Sequence, residues 1–170
     1  MIKQTVRSSA AAVLICATLL VGTGLAGPQA RHPLEGTYEV FITRGDVGGG
    51  FRFVVSFTRQ AGRWAGEVRN TPVPVTVNEI TVTGETNLSA TATANSQGEN
   101  GTITLKADGS KITCNVTLSG GTETATITAT KKGDQGKATL EGTYDARAEL
   151  NDGTTLTLEL IIRRMKPADK

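Results

Sequence analysis

One histidine, two cysteines and a scatter of carboxylates are the groups in this 170-residue chain best suited to acid–base, nucleophilic or metal chemistry. His32 is alone, so a histidine-based triad or a histidine-rich zinc or iron site has no second member. It precedes the first strand, in a stretch read as unstructured. There is no Gly-x-Ser-x-Gly elbow and no glycine-rich phosphate loop ahead of a helix; Gly48-Gly49-Gly50 is a glycine run inside a β-rich region. Two carboxylates could hydrolyse a glycosidic bond. Glu35, Glu39, Glu67, Glu79, Glu141, Asp145 and Glu149, however, mostly occupy the polar side of alternating runs, where acids serve solubility. Asp46 and Asp152 sit in turns without EF-hand spacing, and turn chemistry accounts for both. The residues therefore describe a non-enzyme, with no metal and no cofactor.

Cys114 shares a side of its run with Ile112, Val116 and Leu118, the place of a small hydrophobe. Cys16 lies in a different kind of segment. Lys3 and Arg7 precede an apolar run at residues 10–21, and the small residues Gly22, Thr23, Gly24 and Ala26 follow. That is the order of a secretory signal peptide with an apolar helical middle, and cleavage is expected after Ala26. The run is short of the ~20 residues a membrane-spanning helix needs, although retention as an anchor stays open. The expected location is secreted or periplasmic. Cleavage would leave Cys114 as the one cysteine, with no intramolecular disulfide. It would also remove two positive charges, leaving 16 basic against 16 acidic residues. A neutral chain gives no electrostatic reason to bind nucleic acid.

The remainder reads as strands. Phe51, Phe53, Val55 and Phe57 alternate with Arg52, Val54, Ser56 and Thr58. Tyr38, Val40 and Ile42 alternate with Thr37, Glu39 and Thr43. Leu156, Leu158, Leu160 and Ile162 close the series. A period of two with one apolar side belongs to antiparallel sheet. Asp108-Gly109, Ser119-Gly120-Gly121 and Asn151-Asp152-Gly153 supply tight reversals, and residues 45–50 form a glycine-rich loop. Ten strands are expected, at 36–44, 50–60, 63–69, 73–83, 87–95, 101–107, 111–118, 122–131, 138–150 and 154–164. The apolar phase slips at Asn78-Glu79, which calls for a bulge. The segments are then a signal peptide at 1–26, a flexible leader at 27–33, a β-barrel domain at 34–165 and a tail at 166–170.

Leu34-Glu35-Gly36-Thr37-Tyr38 recurs as Leu140-Glu141-Gly142-Thr143-Tyr144. The repeat implies two similar hairpins at either end of a meander, whose first and last strands could meet and close it. The fold class is all-β: an antiparallel meander of about 8–10 strands, for which a closed or nearly closed lipocalin-like barrel is the favoured reading and two packed sheets stay open. Gly36-Thr37-Tyr38 resembles the opening of lipocalin-like and other calycin barrels. Gly62-Arg63-Trp64-Ala65-Gly66, residues 80–84 and Asp108-Gly109-Ser110-Lys111-Ile112-Thr113 resemble small lipocalin-like β-domains of secreted bacterial proteins. Cys114 stands where that pattern has glycine, and 138–164 has no counterpart. The resemblance implies a small barrel with a ligand pocket and carries over no functional residue.

By parity Tyr38, Phe51, Phe53, Phe57, Trp64 and Tyr144 point inward, as do Ala90, Ala92, Ala94, Ala125 and Ala129. Aromatics on one wall and alanines opposite either leave a cavity or simply fill the interior. The candidate ligand-lining residues are Tyr38, Phe53, Phe57, Trp64, Cys114 and Tyr144. The expected function is non-catalytic binding of a small apolar ligand. The alternative is a structural module docking another cell-envelope protein through Thr-rich outer faces such as Thr124, Thr126, Thr128 and Thr130. An outer-membrane barrel fits less well, because 4% aromatic residues is too few for two girdles. The oligomeric state is left open.

Overall fold

The computed structural model describes residues 31–44, 49–96, 99–118, 123–133 and 139–166. The signal segment with Cys16, the leader up to residue 30, the loop at 45–48, the turn at 119–121 and the tail from 167 lie outside the described residues. Ten strands follow one another: β1 (Gly36–Arg44), β2 (Gly50–Gln60), β3 (Arg63–Arg69), β4 (Val75–Thr83) and β5 (Asn87–Ser96). Then come β6 (Glu99–Asp108), β7 (Lys111–Leu118), β8 (Thr124–Lys131), β9 (Gly142–Leu150) and β10 (Thr155–Arg164).

They form a single antiparallel sheet in the order β3-β2-β1-β10-β9-β8-β7-β6-β5-β4. First and last strands do meet, with Val40 opposite Ile162 and Ile42 opposite Leu160. The remaining gap falls between β3 and β4, which face each other without a shared hydrogen-bond ladder. The barrel is therefore nearly closed, with its seam between two strands consecutive in the chain. The two hairpins carrying the repeat, from the two ends of the meander, sit side by side as β2-β1-β10-β9. Pairing first strand with last brings both copies together.

Local chemistry sets the turns. Asp108 accepts the Lys111 backbone N–H through Oδ1 at 2.9 Å, and Gly109 takes φ +75° between β6 and β7. Between β9 and β10, Asp152 accepts the Thr154 N–H at 2.8 Å, and Gly153 takes φ +81°. A hydrogen bond from the Thr154 side chain, and then that from its backbone N–H, hold the Asp152 carboxyl below its ordinary range, so its chemistry belongs to the turn. The expected bulge is present where the β4–β5 register shifts between Val77 and Glu79. It twists an edge strand that has no partner on its other side.

The repeat folds twice into the same corner. Tyr38 donates its hydroxyl hydrogen to the Leu34 carbonyl at 3.1 Å, and Tyr144 donates to the Leu140 carbonyl at 2.8 Å. Leu34 and Leu140 are both buried beneath these corners. Gly36 and Gly142 adopt φ of +156° and +153°. Each tyrosine lies opposite a cation on the neighbouring strand: Arg164 of β10 opposite Tyr38, and Lys131 of β8 opposite Tyr144. Arg164 Nη2 bonds the Tyr38 hydroxyl at 2.7 Å and the Pro33 carbonyl; Lys131 Nζ bonds the equivalent carbonyl, Thr139, at 3.0 Å. The cations pass across the glycines, where a Cβ on Gly142 would stand 2.5 Å from Lys131 Cε and one on Gly36 would stand 3.3 Å from Arg164 Nε.

Apolar side chains face in and polar ones out. Outward Thr124, Thr126 and Thr130 are exposed, while Ala125 and Ala129 between them are buried. That is the reverse of a barrel seated in lipid. Phe51 departs from its expected place. It keeps the inward parity of Phe53 but is 52% exposed, because it stands at the barrel mouth, beyond the reach of an opposing wall.

The corner predicts that Gly142→Ala destabilises the fold by ~1–3 kcal/mol, since alanine must hold a conformation open essentially to glycine and displace Lys131. Urea unfolding of that variant beside Gly49→Ala would check this: Gly49 also has a positive φ, +97°, but a Cβ there meets nothing within 4 Å, so the excess loss at Gly142 reads the clash with Lys131. Equal losses in both would contradict the part assigned to Lys131.

Candidate functional site

The barrel interior divides into two walls of different chemistry. One is aromatic. Tyr38, Phe53 and Phe57 from β1 and β2 are fully buried, as is Tyr144 from β9. Tyr38 meets Phe57 edge-on at 5.7 Å, and Phe57 meets Trp64 of β3 edge-on at 6.5 Å. Trp64 is half-buried, because β3 is an edge strand. These rings interlock and fill their side of the barrel, the outcome usual in small barrels.

The other wall is aliphatic, built from β6 to β10 and β1. Here the packing leaves a void of about 40 Å³, bounded by Val40, Ile42, Leu105, Cys114, Ala146 and Leu158 among others. Three alanines, Ala107, Ala129 and Ala146, stand where larger side chains would close it. Leu140 closes one end, so one of the two corners forms the floor of the void. Toward the mouth, Ile127 and Leu160 line the void and are themselves half-exposed, with half-exposed Leu156 beyond them. An aliphatic path thus runs from solvent to the interior. Room for a water exists at this size, but a water needs two to four polar partners, and aliphatic walls with one sulfur supply none. The site is a dry slot.

Of the six residues expected to line a ligand site, the void touches Cys114; Tyr38, Phe53, Phe57, Trp64 and Tyr144 stand outside its boundary. Cys114 is buried, as its parity required. Among the described residues no cysteine is free: Cys114 is disulfide-bonded. The expectation of a lone cysteine concerns the chain after cleavage of its first 26 residues. Parity says which residues point inward. It does not say which wall they build, so the aliphatic slot was not identifiable beforehand.

His32 is also corrected. Its ring is ordered: Nε2 lies 2.9 Å from the Gly84 carbonyl, Nδ1 accepts the Leu34 N–H at 3.2 Å, and the ring meets Trp64 edge-on at 5.0 Å. Two of these three partners, Gly84 and Trp64, come from distant parts of the chain and are not visible in local sequence. Among the described residues no cluster of three or more histidine, cysteine or acidic side chains is placed to hold a metal. The charged groups lie mainly outside, as in Lys132 bridging Asp145 at 2.9 Å and Glu159 at 2.8 Å. Exposed bridges of this kind contribute little to stability.

Burial pushes the Tyr144 phenol up to about 12, with a smaller contribution from Tyr38. Burial also raises Tyr38, opposed by its hydrogen bond from Arg164. Compared with family models, curated proteins and solved structures, the chain matches none.

The raised phenol has a signed consequence. An unfolded tyrosine ionises near pH 10, so between pH 10 and 12 the unfolded chain sheds this proton before the folded one. The stability it carries is complete below pH 10 and is lost as pH rises to 12. Urea midpoints at pH 9 and pH 11.5 should fall further in the wild type than in Tyr144→Phe. Parallel falls would show that Tyr144 titrates as an ordinary phenol.

Proposed function

We propose that this chain is an exported, non-catalytic barrel of lipocalin-like kind that binds the slender end of a small apolar molecule. The observation that supports it most directly is the dry aliphatic slot continuous with half-exposed Ile127 and Leu160. The general shape, a nearly closed antiparallel barrel, fits the lipocalin-like resemblance. Ten strands exceed the eight typical of that architecture. The slot is well below the ~300–1,000 Å³ of ordinary ligand sites. That size argues for a saturated chain end rather than a ring system or a whole drug-sized molecule. With no hydrogen-bonding group in the slot, the polar part of such a ligand stays at the mouth.

Docking of an envelope protein through an apolar patch is less well supported. Among the described residues, the two large hydrophobic side chains that are well exposed, Phe51 and Met165, stand at opposite ends of the barrel and form no contiguous surface. The Thr-rich outer face is in keeping with a solvated sheet.

Titration with 1-decanol, followed by methyl chemical shifts, tests the reading. The shifts should concentrate on Leu105, Leu158 and Ile162. Ala146→Val, which adds methyl groups inside the slot, should weaken binding at least about tenfold, while outward Thr128→Val leaves it unchanged. Binding that ignores Ala146→Val, or no binding near saturating decanol, would reject the proposal.

A further inference from the structure

The seam between β3 and β4 is tied at one end by the chain itself, through residues 70–74. At its other end, where β3 begins and β4 finishes, no covalent connection joins the two strands. His32 occupies that place. Its ring rests edge-on against Trp64 on the β3 side and bonds the Gly84 carbonyl on the β4 side. Half-buried apolar side chains line the seam between these ties, among them Trp64, Val68, Val75, Val77 and Val82. Strands without a shared ladder depend on such side-chain contacts to stay together.

We propose that His32 is a pH-sensitive latch on this seam. The hydrogen bonds define one protonation state. Nδ1 accepts from the Leu34 N–H and so carries no proton, which leaves the proton on Nε2 to be donated to Gly84. A second proton can only go to Nδ1, and it abolishes that acceptor. The Leu34 N–H, on a buried residue, then faces an N–H rather than a lone pair. A buried donor without an acceptor is costly, and swinging the ring away removes the cost while releasing Trp64 and Gly84 together. Imidazole is the side chain whose ordinary titration falls between pH 5 and 8.

Charged groups surround the latch on several sides. In its own turn, Glu35 Oε2 lies 3.4 Å from the His32 backbone nitrogen. On β10, the Arg164 guanidinium bonds the Glu35 carbonyl at 3.1 Å and the Tyr38 hydroxyl; Glu141, ahead of β9, accepts the Arg164 N–H at 3.2 Å. Arg63 precedes Trp64 on β3, and Glu85 follows Gly84 in the β4–β5 turn.

The chain has one histidine and one tryptophan, so switch and reporter are both unique. Acrylamide quenching of Trp64 fluorescence in the full chain should rise at least about twofold from pH 8 to pH 5, following a one-proton curve. His32→Gln should hold one level across that range. In the wild type the amide protection factor of Leu34 should fall on the same curve while that of Val55, in mid-strand, stays constant; this second readout stands even if His32→Gln folds poorly. A flat quenching profile, equal responses in wild type and variant, or a Leu34 amide that keeps its protection would each overturn the latch.

Discussion

Everything else in this barrel is arranged around a corner made twice: a tyrosine hydroxyl bonded four residues back, a leucine buried beneath, and a cation from the next strand crossing a glycine. Each copy fixes where a strand starts and how the chain enters it. Because both copies lie on strands adjacent to β10, they also fix which strands flank the closure. The closure is an ordinary antiparallel ladder from Tyr38↔Arg164 to Arg44↔Leu158. The cations differ, arginine in one copy and lysine in the other. Arginine can bond the tyrosine hydroxyl and two carbonyls at once, whereas the lysine bonds a single carbonyl.

Two consequences follow from putting the closure there. The gap a ten-strand meander leaves falls between β3 and β4, where a bulge, a pair of prolines and a histidine replace ladder hydrogen bonds. The interior also becomes lopsided. Aromatic residues crowd β1 to β3 and fill that half, while β6 to β10 offer aliphatic chains interrupted by alanine. A void of 40 Å³ costs about 1 kcal/mol at ~24 cal/mol per Å³. A wall built with one leucine in place of Ala129 or Ala146 would not leave it.

Much of the fold was legible because strand periodicity and turn chemistry agreed. β1, β2, β3 and β7 occupy the residues expected of them, and the slip at Asn78-Glu79 is the bulge it implied. β9 was expected from residue 138 but begins at Gly142, since Leu140 keeps the apolar phase while its backbone turns the corner. The site was less legible. Cys114 could be placed inward by alternation alone. Which inward residues surround a void depends on the barrel's circumference, and short-range pattern carries no such information. His32 was missed for a related reason: its partner Gly84 lies 52 residues away, and Pro33 beside it suggested only a loop.

The central claim is that the interior takes up an apolar molecule. Native mass spectrometry of the protein, purified gently from the envelope fraction of its own host, addresses this most directly. The account predicts a reproducible adduct with the mass of a small lipid-like molecule, lost on denaturation and absent from Ala146→Val. A bare monomer mass in repeated preparations, with Ala146→Val indistinguishable from wild type, would contradict it and identify the slot as a packing defect.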